Sequence, residues 1–260
     1  MTKVKDLFSL KGQCAVVVGG AGRIGTPMAE ALAEAGARVY IASRAAKSDH
    51  PVVSRMVKAG LDVHAIAFDQ SDEASVNRAI ETITKECGTP AILVNSGVER
   101  PMARLLDDDV EAWDRSMAVN ARGLFVTCRA FARAMGAAGR GSIINVTSIY
   151  GVVAPDPAMY EGSNEGTEPD YPYTKGGMIM FSKYLATYFA RQGVRVNCIA
   201  PGGLFDNQAE PFYSRYLAKV PMKRMAVPDD LKGITVLLAS AAGAYITGAV
   251  IPVDGGWTAW

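Results

Sequence analysis

The sequence predicts an α/β fold, a doubly wound parallel sheet of seven strands with helices on both faces. Short apolar runs alternate with helical segments along the 260-residue chain, without a linker, a repeat or a low-complexity segment. Apolar runs that lack polar alternation are typical of strands covered on both faces, and strand–helix alternation requires the crossovers of a parallel sheet. We therefore expect residues 1–260 to form a single domain.

The strands are predicted where β-branched apolar runs end at glycine, proline or polar residues. They fall at residues 15–18, 38–42, 62–68, 91–94, 142–146, 194–199 and 249–253. Apolar residues at helical spacing, together with stop signals such as Gly36 and Gly60, define the helices between them. These are predicted at residues 27–35, 48–59, 73–86, 110–135, 172–191 and 228–240.

Composition excludes several classes of function. The net charge of +1, from 27 basic and 26 acidic side chains, gives no reason to expect nucleic acid or an anionic membrane as a partner. Only two histidines are present, which argues against a histidine-rich metal site. The four dispersed cysteines are typical of reduced thiols, and no run has signal-peptide or membrane-spanning character. We expect a cytoplasmic protein without a metal.

A glycine-rich turn follows the first predicted strand. Gly19, Gly20, Gly22 and Gly25 precede a helical pattern that begins at Thr26. Glycines allow a tight turn and a close approach to a ligand, and a helix opening there offers free N–H groups to a phosphate. The turn therefore favours a Rossmann-like dinucleotide site, with an ordinary strand–helix turn as the alternative.

Polar residues and glycines also follow the other predicted strands. Because ligands of such sheets bind beyond the carboxyl ends of the strands, we expect these residues to meet at one rim. They are Ser43, Arg44, Asp69, Asn95, Ser96, Gly97, Ser148, Pro201, Gly202 and Gly203.

Five motifs in a fixed order carry a family resemblance. Tyr171 and Lys175 form a Tyr-xxx-Lys motif, which stands with Ser148, with Asn120, and with the segments 194–202 and 247–256. Together with the glycine turn, this order resembles the short-chain dehydrogenase/reductase family, the single-domain type of about 250 residues. The resemblance implies one dinucleotide-binding and catalytic domain over residues 1–260, and a homotetramer.

The Tyr-xxx-Lys spacing has a chemical reason. A free tyrosine has a pKa of about 10, and a lysine four residues on shares its helix face, where a positive charge lowers that pKa. Tyr171 would be the general acid or base for a carbonyl–alcohol interconversion. The resemblance implies that Lys175 also binds the nicotinamide ribose, Ser148 holds the substrate oxygen and Asn120 supports a water in a proton relay. Pro172 fits the first turn of a helix, and Tyr173 has the wrong spacing.

The resemblance implies a dinucleotide site with two departures. Val18 replaces a threonine and Arg23 replaces the middle glycine, so Arg23 would either crowd the pyrophosphate or pair with it. The implied cofactor-binding residues are Gly19, Gly22, Arg23, Ile24, Gly25, Ser43, Arg44, Asp69, Gln70, Asn95, Ser96, Gly97, Tyr171, Lys175, Pro201, Gly202 and Leu204.

The end of the second strand favours NADP. An acidic residue there would bind the ribose 2′-hydroxyl of NAD, whereas Ser43 and Arg44 suit a 2′-phosphate. Arg44 as an exposed loop charge is the alternative, and NAD then becomes the alternative cofactor. By resemblance, Asp69 would receive the adenine amino group, and Asp206 stands near the position of a threonine that often contacts the nicotinamide amide.

Two segments are predicted as lid loops, at about residues 152–170 and 203–221. The first carries five carboxylates without a lysine or arginine, which disfavours an anionic substrate and offers acceptors to hydroxyl groups; these are Asp156, Glu161, Glu165, Glu168 and Asp170. A solvated surface loop is the alternative. The long separation of Ser148 from Tyr171 requires this loop to bulge outward. Aromatic residues of the second segment would line an apolar wall or anchor it to the core.

The predicted function is an NADP-preferring carbonyl reductase or alcohol dehydrogenase that acts on a small carbonyl or alcohol, favoured as a neutral polyhydroxy or sugar-like compound. One alternative is a non-catalytic dinucleotide-binding regulator on the same fold, suggested by the altered glycine turn. A sugar-nucleotide epimerase or dehydratase is a third hypothesis, although little chain remains for its substrate domain.

Overall fold

Seven parallel strands form one sheet in the computed structural model, which describes residues 2–45, 47–103, 105–163 and 166–260. Their order across the sheet is β3-β2-β1-β4-β5-β6-β7, which confirms the predicted doubly wound parallel sheet. The strands are β1 Cys14–Val18, β2 Arg38–Ser43, β3 Val63–Ala67, β4 Ile92–Asn95, β5 Gly141–Val146, β6 Val194–Pro201 and β7 Val250–Val253.

Helices cover both faces of the sheet, as predicted. They are α1 Val4–Leu7, α2 Gly25–Glu34, α3 Pro51–Lys58, α4 Glu73–Cys87, α5 Val110–Met117, α6 Leu124–Ala137, α7 Asp170–Phe189, α8 Phe212–Lys219 and α9 Lys232–Ala239. Helices α4, α6 and α7 contribute to the core on one face, and α2, α3 and α9 contribute to the core on the other. Strand β1 serves both, because Val16 packs into the first core and Val17 into the second.

The predicted helix over residues 110–135 is interrupted. A π-helical segment, Ala118–Gly123, separates α5 from α6. Within it Asn120 bonds to the backbone of Glu99, and π-helical turns inside helices occur frequently at functional sites. The widened segment lies beside the site described below.

Other helices also differ from the prediction. The helix expected from residue 48 begins at Pro51, because His50 caps it by accepting a hydrogen bond from the Val52 N–H. The short helix α1 was not predicted. Helix α8 lies in the predicted lid loop 203–221, where Phe212 and Tyr216 are buried four residues apart against Trp257 and Met225.

Strand β1 lies at the point where the strand order reverses. It pairs with β2 on one side and with β4 on the other. Ligands of open α/β sheets bind beyond the carboxyl ends of the strands at this point. Within the described ranges, no helix is both long and apolar enough to cross a membrane.

Candidate active site

A cleft with a volume of about 530 Å³ opens beyond the carboxyl ends of the strands. It joins the glycine turn after β1, the segments after β4 and β5, the start of α7 and the segment after β6. The predicted site residues that line it are Gly19, Gly22, Arg23, Ile24, Gly25, Ser43, Ser96, Gly97, Ser148, Tyr171, Pro201, Gly202 and Leu204.

The glycine turn is packed too closely for side chains. Gly19 has a φ of +71°, a backbone conformation that favours glycine. A Cβ on Gly25 would lie 2.2 Å from the Gly19 carbonyl oxygen and 2.6 Å from Ser96 Oγ, and one on Gly19 would lie 2.7 Å from the Gly97 backbone. Ser96 secures the turn by donating to the Val18 carbonyl at 2.7 Å. This bare turn at the start of α2 is a cradle that fits the pyrophosphate of a dinucleotide.

Arg23 reaches across the cleft rather than into the glycine turn. Its Nη1 lies 2.8 Å from Asp206 Oδ2, and its Nη2 donates to the Leu204 carbonyl at 3.2 Å. Both charged side chains are more than half exposed, so water screens the pair. Arg23 thus joins the glycine turn to the segment that follows β6.

The end of β2 places Ser43 in the cleft and Arg44 at its edge. Arg44 is exposed, and its Nη2 lies 3.4 Å from Glu99 Oε2. Asp69, after β3, accepts hydrogen bonds from the Ser71 N–H at 2.9 Å and the Ser71 hydroxyl at 2.6 Å. These bonds, with the charge of Arg44 as a smaller contribution, hold the Asp69 pKa below its ordinary value. Neither Arg44 nor Asp69 lines the cleft in this structure.

Tyr171 and Lys175 stand on the first turns of α7. Pro172 lies in the first turn, where a proline costs little. The Tyr171 ring lines the cleft, whereas Lys175 is buried beneath it. Lys175 Nζ lies 5.6 Å from the ring centroid and donates to the Val146 carbonyl at 2.7 Å.

The electrostatics of this pair differ from the expectation. Burial raises the pKa of Tyr171, and a hydrogen bond with Ser148 and the charge of Arg100 oppose that rise. Burial also lowers the pKa of Lys175 to about 8. The Lys175 ammonium is engaged with the Val146 carbonyl of β5.

Ser148 follows β5 and is brought beside Tyr171 despite their separation in sequence. Its Oγ caps the short 3-10 turn Ile149–Gly151 by accepting a hydrogen bond from the Tyr150 N–H at 3.1 Å. The intervening loop contains a second 3-10 turn, Pro157–Met159, and folds over the cleft. Ser148 and Tyr171 therefore line one cleft.

Three predicted site residues support the cleft without lining it. Asn120 accepts from the Glu99 N–H at 2.9 Å and donates to the Glu99 carbonyl at 2.6 Å. Gln70 donates to the Val119 carbonyl at 2.9 Å, and Asn95 donates to Asn145 Oδ1 at 2.7 Å. With Lys175 they line a small enclosed cavity next to the cleft. Their side chains thus hold the segments that carry the lining residues.

Several residues that line the cleft are not among those predicted from the sequence. Tyr150 and Tyr160 face the cleft and share a hydrogen bond of 2.6 Å between their hydroxyls, and Tyr160 is also bonded to Thr167 at 2.9 Å. Arg100, five residues past β4, lines the cleft over Tyr171. The position of Tyr150 two residues after Ser148 was a usable signal. Arg100 resembled an ordinary loop charge.

The carboxylates of the loop 152–170 are mostly engaged with other groups. Asp156 pairs with Lys219, Glu168 with Arg100 and Asp170 with the Ser116 hydroxyl. Glu161 is exposed and outside the cleft, and Glu165 lies outside the described residues. Asp156 and Asp170 are therefore bonded to other protein groups in this structure, and neither lines the cleft. Hydroxyl groups of tyrosine and threonine line the cleft wall instead.

The chain is similar to known oxidoreductases over almost its whole length. A family model described as Enoyl-(Acyl carrier protein) reductase matches residues 19–258. Galactitol 2-dehydrogenase (L-tagatose-forming) of Cereibacter sphaeroides is 33% identical over 262 residues, covering 98% of this chain and 99% of that protein.

Two solved structures extend the similarity to the fold. A gluconate 5-dehydrogenase from Burkholderia cenocepacia, in complex with NADP and tartrate, has a TM-score of 0.88 and 30% identity, over 99% of this chain and 100% of that chain. A short chain dehydrogenase from Leptospira borgpetersenii with bound NAD+ has a TM-score of 0.86 and 30% identity, over 99% of this chain and 96% of that chain.

Proposed function

This chain belongs to the short-chain dehydrogenase/reductase family, and from that membership we propose that it interconverts a polyhydroxy secondary alcohol and its ketone with NADP. The oxidoreductase class, with an NAD(P) cofactor and hydride transfer between a carbonyl and an alcohol, follows from the family. The observation that carries the proposal is one cleft that holds the bare glycine turn, Ser148 and Tyr171 together.

The residues present fit a dinucleotide. The turn formed by Gly19, Gly25 and Gly97 would hold the pyrophosphate, since all three line the cleft and their close packing against neighbouring protein atoms keeps the turn free of side chains. Ser43 and Arg44 would hold the adenosine ribose and its phosphate, and the remaining predicted cofactor-binding residues would surround it or support its site. When bound, the nicotinamide supplies or accepts the hydride.

Within this chain, proton transfer falls to Tyr171 Oη. For ketone reduction the phenol donates its proton to the substrate oxygen, and for alcohol oxidation the phenolate removes one. Ser148 Oγ, in the same cleft, would hold that oxygen in place. Lys175 would bind the ribose and lies beneath the tyrosine ring, and Asn120 would keep the neighbouring segment in position through its bonds to Glu99.

The cleft wall favours a substrate with several hydroxyl groups. Tyr150, Tyr160 and Thr167 present a connected set of hydroxyls beside Ser148 and Tyr171. Burial raises the pKa of Tyr150, so this phenol stays protonated and can donate as well as accept. The similar galactitol 2-dehydrogenase and gluconate 5-dehydrogenase act, by their names, on polyhydroxy compounds, which supports the same class here.

A substrate panel tests this proposal. Polyols, aldonates and simple cyclic alcohols of matched size should be compared in initial-rate measurements with NADP and with NAD. We expect the highest kcat/KM for a compound that carries hydroxyls on both sides of the reacting carbon. Equal rates for a monohydroxy alcohol would contradict the polyhydroxy class, and dinucleotide binding without any turnover would favour the regulator.

Arg44 tests the proposed preference for NADP. The Arg44→Ala variant removes the guanidinium at the end of β2 and leaves Ser43 in the cleft. We expect the Kd for NADPH to rise about tenfold, as for the loss of one charged hydrogen-bonded contact, while the Kd for NADH stays nearly unchanged. Fluorescence titration of both cofactors measures this. Arg55→Ala, which removes an exposed arginine on α3 paired with Glu30, is the matched control. Equal losses for both cofactors would contradict the assignment.

We also propose a homotetramer in the cytoplasm. Met180, Tyr184 and Tyr188 recur at four-residue spacing on α7 and are exposed, with exposed Phe125 on α6 beside Phe181. An apolar face of this kind is typical of a surface covered by another subunit. The free cysteines support a reducing compartment.

A further inference from the structure

Arg100 is held over the ring of Tyr171. Its guanidinium carbon lies 4.9 Å from the ring centroid, within the range of a cation–π contact. The same group donates from Nη2 to the Gly166 carbonyl at 3.2 Å and to Glu168 Oε2 at 3.0 Å. Arg100 therefore connects the segment after β4 with the loop before α7, at the wall of the cleft.

The titratable or charged groups that face Tyr171 in the described part of the chain come from several elements. They are Lys175 from α7, Arg100 from the segment after β4 with its partner Glu168 from the loop before α7, Tyr150 from the first 3-10 turn, and Tyr160, which directly follows the second. The neighbouring Asp170 is buried and bonded to Ser116.

Two cations therefore share the surroundings of the phenol, but they differ in kind. Burial lowers the pKa of Lys175 to about 8, so its charge is lost in mildly alkaline solution. A guanidinium keeps its charge throughout the working range of an enzyme. Glu168 is the more buried partner of Arg100, with 13% of its side chain exposed against 45% for the arginine, and can anchor it.

We propose that Arg100 is a positioning residue that supplies permanent positive charge beside Tyr171 during proton transfer, and that Glu168 holds it there. Through this pair, the loop before α7 acts on the ionisation of the reacting phenol as well as on the shape of the cleft. The inference rests on the proposed function, because it assigns proton transfer to Tyr171.

The first test removes the charge. Arg100→Met keeps an apolar stem of similar length without a guanidinium. A positive charge favours the phenolate, so its loss raises the Tyr171 pKa. Alcohol oxidation uses the phenolate and speeds up as the phenol loses its proton with rising pH. In Arg100→Met, we expect the pH at the midpoint of this rise in kcat/KM to increase by about half a pH unit to one pH unit, as for a partly exposed charge. Arg100→Lys should restore part of that shift.

The second test concerns the anchor. In Glu168→Gln the arginine loses its ionic partner and is free to turn to solvent. We expect a smaller upward shift of the same midpoint, and no shift beyond that of Arg100→Met in the double variant, since both changes act through one group. Glu161→Gln, on the same loop but exposed and outside the cleft, should leave the profile unchanged. An unmoved midpoint in Arg100→Met, or a downward shift in Glu168→Gln, would overturn the proposal.

A titration without substrate separates this inference from the proposed function. The absorbance of tyrosinate near 295 nm, taken as the difference between each protein and its Tyr171→Phe counterpart, follows this phenol alone. We expect its midpoint to be higher in Arg100→Met than in the unchanged protein. That shift without turnover of any alcohol would contradict the proposed function, while the effect of Arg100 on the Tyr171 pKa would stand. Turnover without that shift would contradict the role of Arg100 and leave the proposed function standing.

Discussion

The Tyr171→Phe variant is expected to lose about a thousandfold in kcat/KM in both directions, as general acid–base groups typically contribute. Phenylalanine keeps the ring on which Arg100 lies and removes only the hydroxyl that carries the proton. The start of α7 is fixed by other groups, including the Asp170–Ser116 bond, so the fold should persist. Steady-state kinetics in oxidation and reduction, with circular dichroism and NADPH titration, measure the loss and its cause.

Tyr173→Phe is the matched control for this variant. Tyr173 lies on the same helix turn, but 63% of it is exposed and its ring packs beside Trp113, away from the cleft. We expect its kinetics to remain close to those of the unchanged protein. Retained activity in Tyr171→Phe, or equal losses in both variants, would show that another group moves the proton.

The Gly25→Ala variant is expected to abolish dinucleotide binding, with a Kd at least about a hundredfold higher. An added Cβ would lie 2.2 Å from the Gly19 carbonyl oxygen and 2.6 Å from Ser96 Oγ, so the turn must open. Overpacking of this kind also costs about 1–3 kcal/mol of stability. Isothermal titration with NADPH and thermal unfolding of the cofactor-free protein separate the two effects.

Gly233→Ala provides the comparison. Gly233 lies in the first turn of α9, and a Cβ there meets no atom within 4 Å. Alanine is the better helix former, so we expect unchanged cofactor affinity and a gain in stability of up to about 1 kcal/mol. Tight NADPH binding by Gly25→Ala would show that the cofactor does not use the glycine turn.

Much of the fold was predictable because the sheet is buried on both faces. An uninterrupted apolar run such as residues 14–18 has one plausible structure when a glycine turn and a helix follow it. The interruption at Ala118–Gly123 was not predictable from the local apolar pattern, and Asn120 within it bonds to Glu99, a residue 21 positions away. Helix α8 was missed for a related reason, since its burial depends on the distant Trp257.

In the candidate site, too, some residues could be predicted from the topology, whereas others depend on partners that are distant in sequence. Residues at strand ends, such as Ser43, Ser96 and Ser148, could be placed because the topology alone brings them to one rim. The direction in which a long side chain points could not be predicted from the sequence. Arg23 faces Asp206, and Arg100 covers Tyr171, through partners that are far away in sequence. The raised pKa of Tyr171 could not be predicted either, because it follows from burial, which spacing does not reveal.

The hydrogen bonds that hold the first turns of α7 have a consequence for how related proteins can change their substrate. Asp170 is tied to Ser116 on α5, and Thr147 after β5 donates to the Lys175 carbonyl at 2.8 Å. The start of α7, which carries the reacting hydroxyl of Tyr171, is thus fixed from two sides. Neither bond involves the outer part of the long loop between Ser148 and Tyr171. Insertions or deletions near residues 152–163 can reshape which molecule is accepted while the chemical apparatus stays in register. Changes there would thus alter the substrate, whereas changes at Glu168 would also alter the ionisation of Tyr171.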